Sequence, residues 1–365
     1  MAATPQRAPM PTIQHRRRRS RVIWLCLSAV FALGMAVSHP AASQVAAATV
    51  YYVATTGSDA ASGSASHPWR TIRYAMTRLA AGDTVYVRAG TYEERISSPR
   101  IRAGTSTAPI TVRAYPREWP VIKGYLWVTG ATFWTFRGIS VAWATTNSTS
   151  EPLVKFTNGV GWSYTDGDIS GAHSYAGLLI IGNVASQPRG WRVAGSCIHD
   201  TYPTHGLNQD HNVYITTGLA SGSGVFERNI VFNATNGRNL KLGPSGSTGG
   251  SVGVLVRYNT FYNANQPLSP SYDSNHNRFD HNILGASRLG YSLIYAYELR
   301  GIENVASNNL GYLAPALLGA SSGGGRIVDG GGNRFPVDPR FNSTASCQGF
   351  HPLNTAAAGY GRFGG

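Results

Sequence analysis

At 365 residues, with 43 Gly, 13% charged residues and a net charge of +14, the chain is long enough for one large domain with a continuous core, and it is basic. Beyond residue 48 no segment is long and apolar enough to cross a membrane. The 22 Arg and three Lys (Lys123, Lys155, Lys241) after that point are spread without the basic runs of nucleic-acid-binding arms, which turns the expectation from nucleic acid toward an acidic glycan.

The first 22 residues hold six Arg and no acid, and they run into a 16-residue apolar stretch at 22–37 and then Ala46-Ala47-Ala48. This is the pattern of an export signal over residues 1–48, since 16 apolar residues fall short of the roughly 20 that span a bilayer. Its removal takes away six arginines and no acid, lowering the net charge from +14 to +8. The expected product is a secreted monomer that meets no membrane once the signal is gone.

Residues 71–80 place Ile72, Ala75, Met76 and Leu79 at helical spacing, which predicts a short helix closing the first coil of a solenoid. Further on, a phrase recurs: Arg137-Gly-Ile, Gly167-Asp-Ile, Ser196-Cys-Ile, Asn229-Ile-Val, Asn259-Thr-Phe, Asn282-Ile-Leu and Asn308-Asn-Leu. Successive starts lie 30, 29, 33, 30, 23 and 26 residues apart. A repeat of this period is one coil of a winding chain. The short apolar runs between, punctuated by Gly, Asn, Ser and Pro, read as strands and turns. Stacked strands of successive coils make a parallel sheet, in which Asn229, Asn259 and Asn282 can form a hydrogen-bonded ladder. Cys197 and Cys347, 150 residues apart, are either one bridge or two buried thiols.

Placing 211–215 under 238–242, an offset of 27, points Val213, Ile215, Leu240 and Leu242 inward and Tyr214 and Lys241 outward together. His211 then neighbours Arg238, Asp210 precedes the first of these strands, His205 and Asp200 lie in the turn before it, and Ser269 comes to the level of Lys241. A lysine beside an arginine has its charged form disfavoured, which suits a base. Asp166-Gly-Asp168 is expected to place two carboxylates on the same side of a strand, with Asp200 or Asp210 able to join them around calcium, although the same triplet is also turn chemistry. Six Trp between 119 and 191, together with Tyr291, Tyr295 and Tyr297, are core residues or stacking faces for sugars.

Tyr51-Tyr-Val, Gly57-Ser-Asp, Pro68-Trp-Arg-Thr-Ile72 and residues 81–92 (AGDTVYVRAGTY) together resemble the opening of the secreted pectate-lyase-like superfamily. Val337-Asp-Pro-Arg-Phe341 and Phe350-His-Pro-Leu are similar to its closing segment. The resemblance implies an all-β fold, a right-handed parallel β-helix with a short N-terminal capping helix. One domain is expected over 49–365, with its cap at 49–95, coils over about 96–335 and a tail at 336–365. It also implies a polysaccharide lyase that cleaves a uronate polymer by β-elimination with Lys or Arg as base, frequently with calcium held by Asp or Glu.

On that reading Lys241, Arg238, His211 and Tyr214 are catalytic, and His205, Asp210, Ser269 and Arg257 bind substrate. Asp166, Asp168 and Asp200 are the metal candidates. Arg257-Tyr-Asn-Thr-Phe261 looks like a segment of the alginate and chondroitin lyase branch, whose following Arg-His-Gly is replaced here by Ser269-Pro-Ser271. A glycoside hydrolase and a non-catalytic glycan- or surface-binding solenoid are the alternatives.

Overall fold

Each coil is three short strands separated by bends, and the bends are set by residues that tolerate a left-handed backbone. Arg228, Tyr258, His281 and Asn308 have φ between 52° and 55°, each immediately before the asparagine that starts or continues the repeated phrase. Turning there sends the chain from one flat face to the next without a long loop. The computed structural model describes residues 48–182, 187–219, 224–244, 249–322 and 324–364. The expected export signal lies outside them except for Ala48.

The first face is an eleven-stranded parallel sheet from Val50–Val53 to Val328–Asp329. The second and third faces belong to one larger sheet that bends, because strands such as Ile230–Leu242 and Thr260–Pro270 run through the corner between them. All pairings between named strands are parallel and carry each coil onto the next. The fold is a right-handed parallel β-helix, as the sequence implies. Pairing begins with Val50 on Thr84, so the first coil starts inside the segment the sequence assigns to the cap. Ala47–Gly365 form one unit.

The capping helix spans Ile72–Arg78, with the Thr71 hydroxyl accepting from the Tyr74 N–H at 3.1 Å. Ile72, Ala75, Met76 and Leu79 are all buried beneath it, closing the apolar end that a solenoid would otherwise expose. Inside the coils, Val213, Ile215, Leu240 and Leu242 stack in register and are fully buried, each adding roughly 1.5–3 kcal/mol of burial. Trp134, Trp162 and Trp191 are core residues too, with Trp162 stacked on Phe156 at 4.1 Å.

The asparagine ladder forms and is longer than the phrase suggests. The Asn229 N–H and Nδ2 donate to Asn259 Oδ1, Asn259 to Asn282, Asn282 to Asn309 and Asn309 to Asn333, at 2.9–3.1 Å. In the last phrase it is Asn309, not Asn308, that takes the rung. Asn229, Asn259, Asn282 and Asn309 are fully buried and satisfy a corner that water cannot reach, and the part-buried Asn333 ends the ladder.

The tail returns over the second face. Cys347 is bonded to Cys197, with a Cα–Cα distance of 6.1 Å, and Phe350 packs on Phe232 at 5.0 Å beside it. The bridge closes a loop of 150 residues. Removing it with Cys197→Ser and Cys347→Ser is expected to lower the unfolding free energy by up to about 5 kcal/mol, read as a drop in urea midpoint with a steeper slope, because the unfolded chain freed of the crosslink exposes more surface.

Candidate active site

The site lies on the third face, where alternation and burial disagree in an informative way. Tyr214 pairs with Lys241 and Lys241 with Ser269, and all three point away from the apolar interior. Even so, Lys241 is only 6% exposed, Arg238 4%, His211 1% and Ser269 0%. The segment before the strand His211–Thr216 rises as one wall of a cleft of about 510 Å³, lined by Tyr175, Leu179, His205, His211, Tyr214 and Lys241 among others.

That wall is anchored by Asp210, which is fully buried. Its carboxylate accepts from the Thr204 and His205 N–H groups at 2.7 and 3.0 Å, from His205 Nδ1 at 2.7 Å and from Asn236 Nδ2 at 2.7 Å. The wall turns back into the third face where Gly237 passes Asp210. A Cβ on Gly237 would strike the Asp210 carbonyl oxygen, so only glycine fits.

Arg238 and Lys241 stand three residues apart on the strand Ile230–Leu242. Arg238 Nε donates to Gln266 Oε1 at 2.7 Å and Nη1 to the Asn208 carbonyl at 2.9 Å, and the guanidinium lies over the Tyr297 ring at 5.3 Å. Lys241 Nζ sits over the Tyr214 ring at 4.5 Å. Among the described residues neither cation has an acidic partner within ion-pair distance. Burial lowers the Arg238 guanidinium to about 10, opposed by the surrounding tyrosines. Burial first, and the charge of Arg238 second, bring the Lys241 ammonium down to about 7. The sequence names the like-charged neighbour as the cause, but desolvation is the larger one.

His211 completes the group. Its Nδ1 accepts from the Arg238 N–H at 3.2 Å, which leaves its proton on Nε2. Burial and the two cations hold its pKa well below the ordinary range. It is therefore a neutral donor that can give the Nε2 proton. On the strand beyond Arg238 and Lys241 are two polar atoms with no hydrogen-bond partner among the described residues, Gln266 Nε2 and Ser269 Oγ, both on fully buried side chains. Gln266 pairs with Arg238 in register. It adjoins the cation pair although the sequence does not single it out; the 28-residue offset that brings Ser269 to Lys241 also brings Gln266 alongside Arg238.

Four expected site residues lie elsewhere. Arg257 ends a strand of the first face, where it and Arg192 clasp Glu227 at 2.7 and 2.6 Å; its role there is to hold three coils together. Asp166 occupies a left-handed bend (φ 58°) and pairs with Arg137 at 2.9 Å. Asp168 and Asp200 are on the second face, one on each side of His199 at 3.2 and 2.7 Å. Burial works against the His199 cation, but the hydrogen bonds to these two carboxylates outweigh it and bring the imidazole up to about 9.

A calcium ion needs six or more converging oxygens, and these residues do not supply them. Asp166 faces a different side from Asp168, and both Asp168 and Asp200 are engaged by His199. The cysteines near Asp168 and His199 are bonded to each other. The described lining of the cleft includes no Asp or Glu, and Asp210 behind it is already saturated. The segments 183–186, 220–223 and 245–248 contain no acid in their sequence.

Residues 51–166 match the Pel9A-like right-handed β-helix region. The match agrees with the right-handed β-helix seen over the whole described chain. The matched region ends before the cleft, so it carries the fold and not the residues of the site. Pectate lyase PEL9 of Emericella nidulans (strain FGSC A4) is 39% identical over 73 residues, 20% of this chain and 18% of that protein. The match thus spans less than a fifth of that relative's length.

Among solved structures, pectate lyase Pel9A superposes with a TM-score of 0.54 at 13% identity, over 86% of this chain and 91% of its own. The complex of XylC with xylose superposes with a TM-score of 0.57 at 14% identity, over 77% and 69%. Such identities establish the pectate-lyase-like fold and leave the chemistry to the geometry of the cleft.

Proposed function

We propose that this pectate-lyase-like protein is exported and cleaves a uronate-containing polysaccharide by β-elimination in the cleft around Lys241. The observation that carries the reading is a buried pair of cations, Arg238 and Lys241, with no acid within ion-pair distance among the described residues, and two polar atoms, Gln266 Nε2 and Ser269 Oγ, left without a hydrogen-bond partner on the neighbouring strand. An anionic ligand completes such a site, and a sugar carboxylate has both the charge and the acceptor oxygens for it.

The reaction needs a base for the proton α to the carboxylate, positive charge on the developing enolate and a proton for the leaving oxygen. Neutral Lys241 takes the C5 proton. Arg238, with Gln266 and Ser269, holds the carboxylate as negative charge grows on it. The electron pair then forms the C4–C5 double bond as the C4–O bond breaks, and His211 Nε2–H protonates the departing oxygen. Tyr214 seats the Lys241 ammonium through its ring. No step draws on calcium, because the donors for it do not converge here. Hydrolysis would need two carboxylates facing the scissile bond, which the described lining of the cleft does not offer.

Incubation with pectate, alginate and glycosaminoglycans is expected to raise ultraviolet absorbance from an unsaturated product on at least one polymer, equally with calcium or with a chelator. Arg238→Met is expected to lower kcat/KM on that polymer by about a hundredfold. Polymer binding with no absorbance change on the whole panel, or new reducing ends without it, would reject the lyase reading.

A further inference from the structure

The outward stripe that bears Lys241 does not stop at the cleft. In register, Lys241 stacks on Tyr214, Tyr214 on Leu179, Leu179 on Lys155, Lys155 on Trp127 and Trp127 on Ser97. Three lysines follow residue 48. One, Lys123, lies near Glu93 at 3.9 Å; the other two share this stripe and the same local arrangement. Lys155 Nζ lies over the Trp127 ring of the preceding coil at 4.3 Å, as Lys241 Nζ lies over Tyr214 at 4.5 Å.

Trp127 is held as a platform. Its Nε1 donates to the Pro152 carbonyl at 2.8 Å, and its ring is stacked on Tyr125 at 4.3 Å and 19°. Arg95 lies over the far ring, 5.1 Å from the Tyr125 centroid, and is fixed by Glu151 at 2.6 Å. Lys155, by contrast, has no acid within ion-pair distance among the described residues, and partial burial lowers its pKa. An uncompensated cation seated over a braced aromatic ring is a contact suited to a sugar carboxylate.

We propose that Lys155, seated on the Trp127 ring, forms a second subsite for an acidic glycan chain lying along the third face, Lys155 taking a carboxylate and Trp127 holding its ammonium in place. Three coils separate Lys155 from Lys241, on the order of 14 Å at the strand spacing, the reach of a short oligosaccharide. The inference rests on the reading of the ligand as a uronate polymer. Its test does not rest on turnover.

The full chain carrying Lys241→Met, which removes the proposed base, is run through native gels containing polygalacturonate, alginate or chondroitin sulfate, with and without Lys155→Gln or Trp127→Phe. Each added substitution is expected to weaken retardation about tenfold in apparent Kd, with Lys155→Arg restoring most of it and circular dichroism unchanged. Unchanged retardation, or weakening only in variants that have lost their β spectrum, would overturn the subsite. Weakened retardation without an unsaturated product from the parent would keep the subsite and remove the lyase reading. Product formation with retardation indifferent to Lys155 would do the reverse.

Discussion

Lys241→Met is expected to lower kcat on the cleaved polymer by about a thousandfold, the contribution of a positioned base. The pH profile is the sharper readout. Only the neutral amine can take the C5 proton, and the Lys241 ammonium loses its proton around pH 7. Initial rates of ultraviolet absorbance should therefore rise with pH below about 7 and level off above it. Lys241→Arg retains the charge but deprotonates far higher, so its residual rate should still be climbing at pH 9. A parent profile that is flat from pH 5 to 9 would show that Lys241 is not the base.

The winding of the chain and the outward pairing of Tyr214 with Lys241 are legible in the sequence because both follow from local rules. Alternation has a period of two, so Val213 and Ile215 fix Tyr214, and Leu240 and Leu242 fix Lys241; the observed register reproduces the 27-residue offset. The capping helix is legible for the same reason, from four apolar residues on one side of a turn. Burial of the outward face is not local. It comes from the wall anchored by Asp210 and from tyrosines one or more coils away, so the main cause of the Lys241 shift lies beyond sequence spacing.

Which face a residue occupies is the other blind spot. Arg257 and Lys241 differ by 16 positions but stand on different faces, because the chain leaves the third face after Leu242 and is on the first face by Val254. Asp166 and Asp168 are separated by a single glycine, yet the left-handed turn at Asp166 sends them to different faces. A residue before the repeated phrase is a turn residue, and read that way Asp166 belongs with Arg228 and Tyr258 rather than with a metal. The Cys197–Cys347 bridge was open in the sequence because a returning tail can lie on any coil.

The cation pair also dictates a stability signature. The ordinary lysine value is 10.5 and Lys241 in the fold is about 7. Between those pH values the unfolded chain carries a proton that the folded chain lacks, so this group makes stability rise with pH there. Below pH 7 both states are protonated and the full cost of the buried charge is present. His211, also depressed, acts in the same direction at lower pH. His199, raised to about 9, acts oppositely, its contribution being lost as pH rises through that value.

The parent curve mixes these groups, but its difference from Lys241→Met isolates one of them. Lys241→Met is expected to be more stable than the parent by on the order of 3 kcal/mol at pH 6, with the gain shrinking to nothing by pH 10, measured by urea unfolding at each pH. A variant that is inactive, yet no more stable than its parent at pH 6, would mean that the Lys241 ammonium is not destabilised in the fold. If the gain appears, polyuronate should raise the unfolding temperature of the parent more than that of the variant. The ligand carboxylate would then supply the counter-charge that the described residues leave out.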